Sequence, residues 1–253
     1  MKNIINWKVF FLLLVLAIVS VICILPYVLT LQADVLKKLG TSVPLLIVAQ
    51  VFQSIILFAI AIFFGLLFTK KIGFQMRLFE AIVQKGNYKK ILKNITGISI
   101  LIGATTAIAI YVLDSVFSLL GVGITTHQSY APVWQKLLAA MYGGITEEIV
   151  MRLFLMTFFI WVGMKVFKQK KPSVTIIFIS IIFTAVIFGL GHLPITASVT
   201  QINSMVILRA VVLNGIAGIL FGLLFWKKGL ESAMIAHFTG DIFLLTLLPL
   251  IFK

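Results

Sequence analysis

One cysteine, three histidines and seven acidic residues are all that this 253-residue chain offers of the side chains on which most enzyme chemistry depends. Cys23 stands alone inside an apolar run, which excludes a disulfide framework and a Cys-x-x-Cys metal knuckle. Charge is scarce as well: 11% of residues are charged and 61% hydrophobic, against about 25% and about 45–50% in soluble domains. With a mean hydropathy of +1.18, the composition excludes a soluble globular protein and points to an integral membrane protein. The formal charge of +14 could suggest a nucleic-acid partner. However, the lysines fall in clusters between hydrophobic runs and build no basic domain, so they read as topology signals and no nucleic acid is expected.

A bilayer span needs about 20 apolar residues, and seven windows qualify: 9–31, 42–69, 95–120, 141–165, 173–192, 205–225 and 230–252. The first is too long for a signal-peptide core and is expected to stay as a helix. With the N-terminus inside, the inner segments hold fifteen Lys and Arg and the outer ones four. That bias places the N-terminus in the cytoplasm, and an Ile-, Phe- and Lys-rich composition suits a bacterial cell membrane. Residues 74–94 mix apolar and basic side chains, as a helix lying in the interface or a solvated basic loop would. Residues 131–140, with Trp134 and Lys136 after Pro132, read as an interfacial helix leading into the fourth span. The expected fold is therefore all-α: about seven transmembrane helices with one or two interfacial ones. We expect an N-terminal part, 1–130, and a C-terminal four-helix part, 131–253. Asn214, Gly215, Gly218 and Gly222 on the sixth span suit close helix packing.

Glu147, Glu148 and Asp241 lie inside apolar windows, where an ionisable group suggests a functional site. Adjacent residues on an α-helix point about 100° apart, so Glu147 and Glu148 are expected to serve different faces. Glu148 and Arg152 are spaced i and i+4 with the acid first, the favourable order for an ion pair. Such a pair leaves Glu147 free to act as a general base; structural hydrogen bonds are the competing explanation for both glutamates. Phe188 and His192 share a helix face, as do His237 and Asp241, where Asp241 is placed to satisfy the His237 ring. At 1.5 Å per residue, Glu147 lies about 9 Å below Met141 and Asp241 about 17 Å above Leu230, so they can meet near mid-membrane. His192, at the end of its window, fits that depth less well.

The order Glu147-Glu148-x-x-x-Arg152, Phe188-x-x-x-His192, His237-x-x-x-Asp241, each on its own helix, resembles the CAAX-processing and bacteriocin-processing (CPBP, or Abi) intramembrane proteases, including the type II CAAX prenyl endopeptidases. The resemblance covers about residues 134–252. It implies that Glu147 and His192 activate the attacking water, that His237 and Asp241 bind the oxyanion or a metal, and that Glu148, Arg152 and Phe188 support them. Asp241 departs from the family's commoner asparagine. An ionised aspartate would repel an oxyanion, so Asp241 must be protonated, hold His237 as a donor, or ligate a cation. The resemblance leaves the cofactor open. A divalent metal such as zinc could use Glu147, His192, His237 and Asp241, yet there is no His-Glu-x-x-His helix, and a metal-free reaction is the alternative. The implied partners are the lipid bilayer and a peptide or lipidated protein substrate. The rival readings are a proton-coupled transporter, for which inverted repeats are lacking, and an inert bacteriocin-immunity scaffold of the same fold.

Overall fold

Long apolar helices fill the computed structural model, which describes residues 5–33, 36–37, 42–123 and 131–252. Among these residues seven helices are long and apolar enough to cross a membrane: α1 (Trp7–Leu31), α2 (Val43–Ile72), α4 (Tyr88–Leu119), α5 (Val133–Val166), α6 (Val174–Ala197), α7 (Ser204–Lys228) and α8 (Leu230–Ile251). The eighth helix, α3 (Arg77–Val83), is short. Lys2, Lys38 and Lys253, which entered the orientation count, lie outside the described residues, as does the junction at residues 124–130. The chain is a multi-pass integral membrane protein.

Helix starts follow local chemistry. Asn87, Ser173 and Asn203 accept hydrogen bonds from the backbone N–H of Lys90, Ile176 and Val206 at 3.2, 3.3 and 2.9 Å, satisfying donors that a helix leaves unpaired. The Asn87 cap corrects one expectation: α4 begins at Tyr88, so 88–94 belong to a long helix and only Arg77–Val83 forms a separate element. The interfacial helix expected at 131–140 is likewise absorbed. Pro132 stands just before the first turn, where proline is tolerated, and nothing between Ala140 and Met141 breaks the helix, so α5 runs from Val133. At 34 residues it would be about 51 Å long as a straight α-helix, well beyond a hydrocarbon core of about 30 Å.

Within α5 the winding changes. Gly143–Glu147 and Ile149–Met156 are π-helical, with hydrogen bonds reaching one residue further than in an α-helix, and α8 has a similar turn at Phe243–Leu247. Such wide turns are rare and concentrate at functional sites. Helix α1 packs on the first segment of α5, α2 on its second π-helical segment, α4 on α8, and α7 on both α6 and α8. One hydrophobic cluster runs through α1, α2 and α5 to α8, from Val9 and Leu13 to Ile149, Leu153, Phe221 and Ala236. Outward faces remain apolar, with Phe11, Val15, Ile22, Val48, Phe52, Ile179 and Phe183 exposed. That inversion is what a lipid solvent permits.

Candidate active site

Two adjacent glutamates on α5 reach the same imidazole on α8. Glu148 is fully buried, and its Oε1 accepts a hydrogen bond from His237 Nδ1 at 2.8 Å. Glu147 Oε2 stands 3.7 Å from His237 Nε2, on the opposite side of the ring. The expectation that the glutamates serve unrelated faces is therefore corrected: the π-helical turns around them and the reach of the side chains let both converge on His237. Asp241 Oδ1 is also 3.7 Å from Nε2. The ring is consequently held by Glu148, where the i,i+4 spacing had suggested Asp241.

Glu148 has a second partner. Arg152 Nε lies 3.2 Å from its Oε2; neither atom has an aligned hydrogen bond, so this contact is a Coulombic pair. The expected Glu148–Arg152 pairing is present, and Arg152 is only 2% exposed. Its guanidinium also reaches the carbonyls of Gly218 and Ala217 at 3.3 and 3.5 Å and lies over the rings of Phe188 and Phe221 at 5.3 and 5.8 Å. These contacts hold the cation in a place where an unpaired charge would be costly.

Helix α6 brings the other histidine. The α-helical part of α6 ends at Gly191 and the helix continues to Ala197, so His192 lies within α6 and shares a cavity with Glu147 and Asp241. His192 Nδ1 is 2.8 Å from the Phe188 carbonyl. A carbonyl can only accept, so Nδ1 carries the proton and neutral His192 keeps its Nε2 lone pair free. Phe188 packs edge-on against both imidazoles, 4.8 Å from His192 and 5.8 Å from His237.

Glu147, His192, His237, Asp241 and Phe188 line one cavity of about 220 Å³, together with Tyr27, Tyr142, Gly143 and Asn214. Exposure separates the carboxylates: the side chains of Glu147 and Asp241 are 26% and 23% exposed and Glu148 is closed off, so only the first two can meet a water in the cavity. A neighbouring cavity of about 390 Å³ shares His192 and Asn214 and carries the Arg209–Asp114 ion pair. A more apolar groove of about 330 Å³, lined by Leu57, Phe58, Leu155 and Ile187, also reaches Glu147 and His192.

Some site determinants had no signal in the motifs. Gly143 leaves room for the tips of two α8 side chains, since a Cβ there would collide with Asp241 Oδ2 and come within 3.1 Å of His237 Nε2. Asn214, read from sequence as part of a packing stripe, lines the cavity while its Nδ2 donates to the Ala210 carbonyl at 2.9 Å. Tyr27 comes from the distant first span. As for a metal, no group of three His, Cys, Asp or Glu among the described residues is arranged to hold an ion. The Nδ1 atoms of His237 and His192 face Glu148 and the Phe188 carbonyl, partners that metal-bound imidazoles also have, so an ion at this cavity would have to be held through the two Nε2 atoms with Glu147 or Asp241.

Glu147, His192, His237 and Asp241 lie in the part of the chain that matches a family model. Residues 129–243 match the Rce1-like family, described as type II CAAX prenyl endopeptidases. The Rce1-like segment takes in α5, α6, α7 and α8 as far as Phe243, and with them every residue of the three motifs. It supports a CAAX-type intramembrane protease at the level of the family, and thus a hydrolase embedded in the bilayer. No curated protein and no solved structure matches the chain.

Proposed function

We propose that the protein is an intramembrane endopeptidase that hydrolyses a peptide bond in a membrane-associated peptide or lipidated protein. One observation carries this reading: His237 is fixed by Glu148 through one nitrogen and faces Glu147 and Asp241 through the other, on a cavity that His192 shares. The groove at Leu57, Phe58, Leu155 and Ile187 supports an apolar substrate approaching from the lipid side, as Leu57 itself is 53% exposed.

In this mechanism a water is held between Glu147 and the free Nε2 of His192. Glu147 takes one proton as the water oxygen forms its bond to the carbonyl carbon, and the π pair of the carbonyl moves onto its oxygen. For His237 to stabilise that oxyanion it must carry a proton on each nitrogen, because Nδ1–H is committed to Glu148; Nε2–H then donates into the cavity. The C–N bond breaks, the proton on Glu147 passes to the leaving nitrogen, and one water has been consumed. Asp241 acts as a neutral hydrogen-bonding group, since an anion beside Nε2 would oppose the developing charge. The distribution of lysine supports a cytoplasmic N-terminus.

The test is incubation of the purified protein in lipid nanodiscs with a library of hydrophobic and lipidated peptides, with products read by mass spectrometry. Wild type is expected to generate new termini, and Glu147→Gln to lower the rate by about 10² to 10⁴. Cleavage by Glu147→Gln at the wild-type rate rules the mechanism out.

A further inference from the structure

Tyr27 lies on α1, outside the segment that carries the motifs, yet it lines the same cavity as Glu147, His192, His237 and Asp241. It is 7% exposed and clusters with Ala131, just before α5, and Ala139 within it. Its hydroxyl is buried and has no hydrogen-bond partner among the described residues. Buried polar groups are nearly always paired, and an exception calls for a reason. A tyrosine normally finds a partner for its O–H when buried, and phenylalanine would fill the same space without the penalty.

The missing partner can be specified from the cavity's chemistry. Glu147 offers acceptor oxygens, and His192 an acceptor nitrogen once its Nδ1–H is spent on the Phe188 carbonyl. The mechanism aims His237 Nε2–H at the substrate carbonyl, and the neutral Asp241 carboxyl stands 3.7 Å from that nitrogen. A tetrahedral intermediate has more than one lone pair to satisfy, and sites that stabilise oxyanions commonly use more than one donor. Tyr142 also lines the cavity but is partly exposed and so can be served by water.

We propose that Tyr27 is a catalytic residue whose phenol O–H donates the second hydrogen bond to the substrate's carbonyl oxygen as it becomes an oxyanion. The hydroxyl keeps its proton throughout; no bond to it is made or broken. The inference rests on the protease reading above, and it gives the first span a part in the chemistry.

Tyr27→Phe removes one oxygen and leaves the ring. Alongside wild type and Glu147→Gln, the variant would be assayed for kcat, KM and melting temperature in nanodiscs, using any peptide that wild type cleaves. The expected result is a kcat lower by about 10² with KM little changed, and a melting temperature equal to or above that of wild type because an unpaired hydroxyl has been deleted. Unchanged kcat in Tyr27→Phe beside an inactive Glu147→Gln overturns this inference and leaves the protease reading standing. A melting temperature that falls by several degrees shows the hydroxyl to be paired in the resting protein and also overturns it. Absence of cleavage by wild type itself removes both.

Discussion

His237 meets a carboxylate on each side of its ring, and this single residue governs most of what substitutions should do. Glu148 both neutralises Arg152 and accepts the His237 Nδ1–H, so its loss should show in two separate measurements. Glu148→Gln keeps an acceptor for the imidazole but strands Arg152, at a cost of about 3–5 kcal/mol. Arg152→Gln should cost a similar amount, and the double variant should recover part of the loss. Strict additivity in a thermal-stability cycle would remove the pair's coupling. Glu148→Ala also frees the ring, and should lose more kcat than Glu148→Gln when the two are compared at temperatures where both are folded. At Asp241 the expectation is milder. Asp241→Asn preserves size and hydrogen bonding, so it should retain much of the activity if the carboxyl works in neutral form; a loss as deep as that of Glu147→Gln would show that its charge is required.

At the scale of the element, α5 decides whether the site exists. Its π-helical turns and the glycines at 143 and 144 bring it against α8, where a Cβ on Gly144 would lie 2.8 Å from that of Phe238 and 3.0 Å from the Met234 carbonyl. Gly143→Ala should therefore abolish cleavage by displacing Asp241 and His237, with a stability loss of about 1–3 kcal/mol typical of overpacking. A variant that melts and cleaves like wild type would show that α8 can yield. The pairs Glu148–Arg152, Phe188–His192 and His237–Asp241 were legible in the sequence because spacings of four place side chains on one helix face, and Glu147, His192, His237 and Asp241 line one cavity. The partner of His237 was not legible, because it depends on how two helices meet. Nor was the convergence of Glu147 and Glu148: the 100° argument assumes α-helical winding, and nothing in Gly143–Met156 announces the wider turn.

For the molecule as a whole, hydropathy located all seven spans, since length and apolarity are properties of each window alone. Their ends were less legible. Capping by Asn87 and the absence of a breaker after Pro132 extend α4 and α5 beyond their apolar stretches. The contribution of α1 to the site was hidden for a similar reason: Tyr27 and Asp241 are brought together by packing alone, across most of the chain. One further feature bears on how such a protein is made. Several hydroxyls that lie between spans are also bonded within their own helix: Ser20 to the Ala17 carbonyl, Ser99 to Ile95, Thr157 to Leu153 and Ser180 to Ile176. Ser20 then touches Thr146 on α5, and Ser99 bonds Ser232 on α8 at 2.6 Å. Glu148 and Arg152 follow the same rule with charges, as the pair is closed inside α5. Each helix can thus leave the translocon for the lipid with these groups already provided for, and hold them ready until a later segment of the nascent chain arrives. Glu147 has no such partner on its own helix and Asp241 only His237 Nε2 at 3.7 Å, so these two proposed catalytic carboxyls are among the groups that lipid partitioning would most resist.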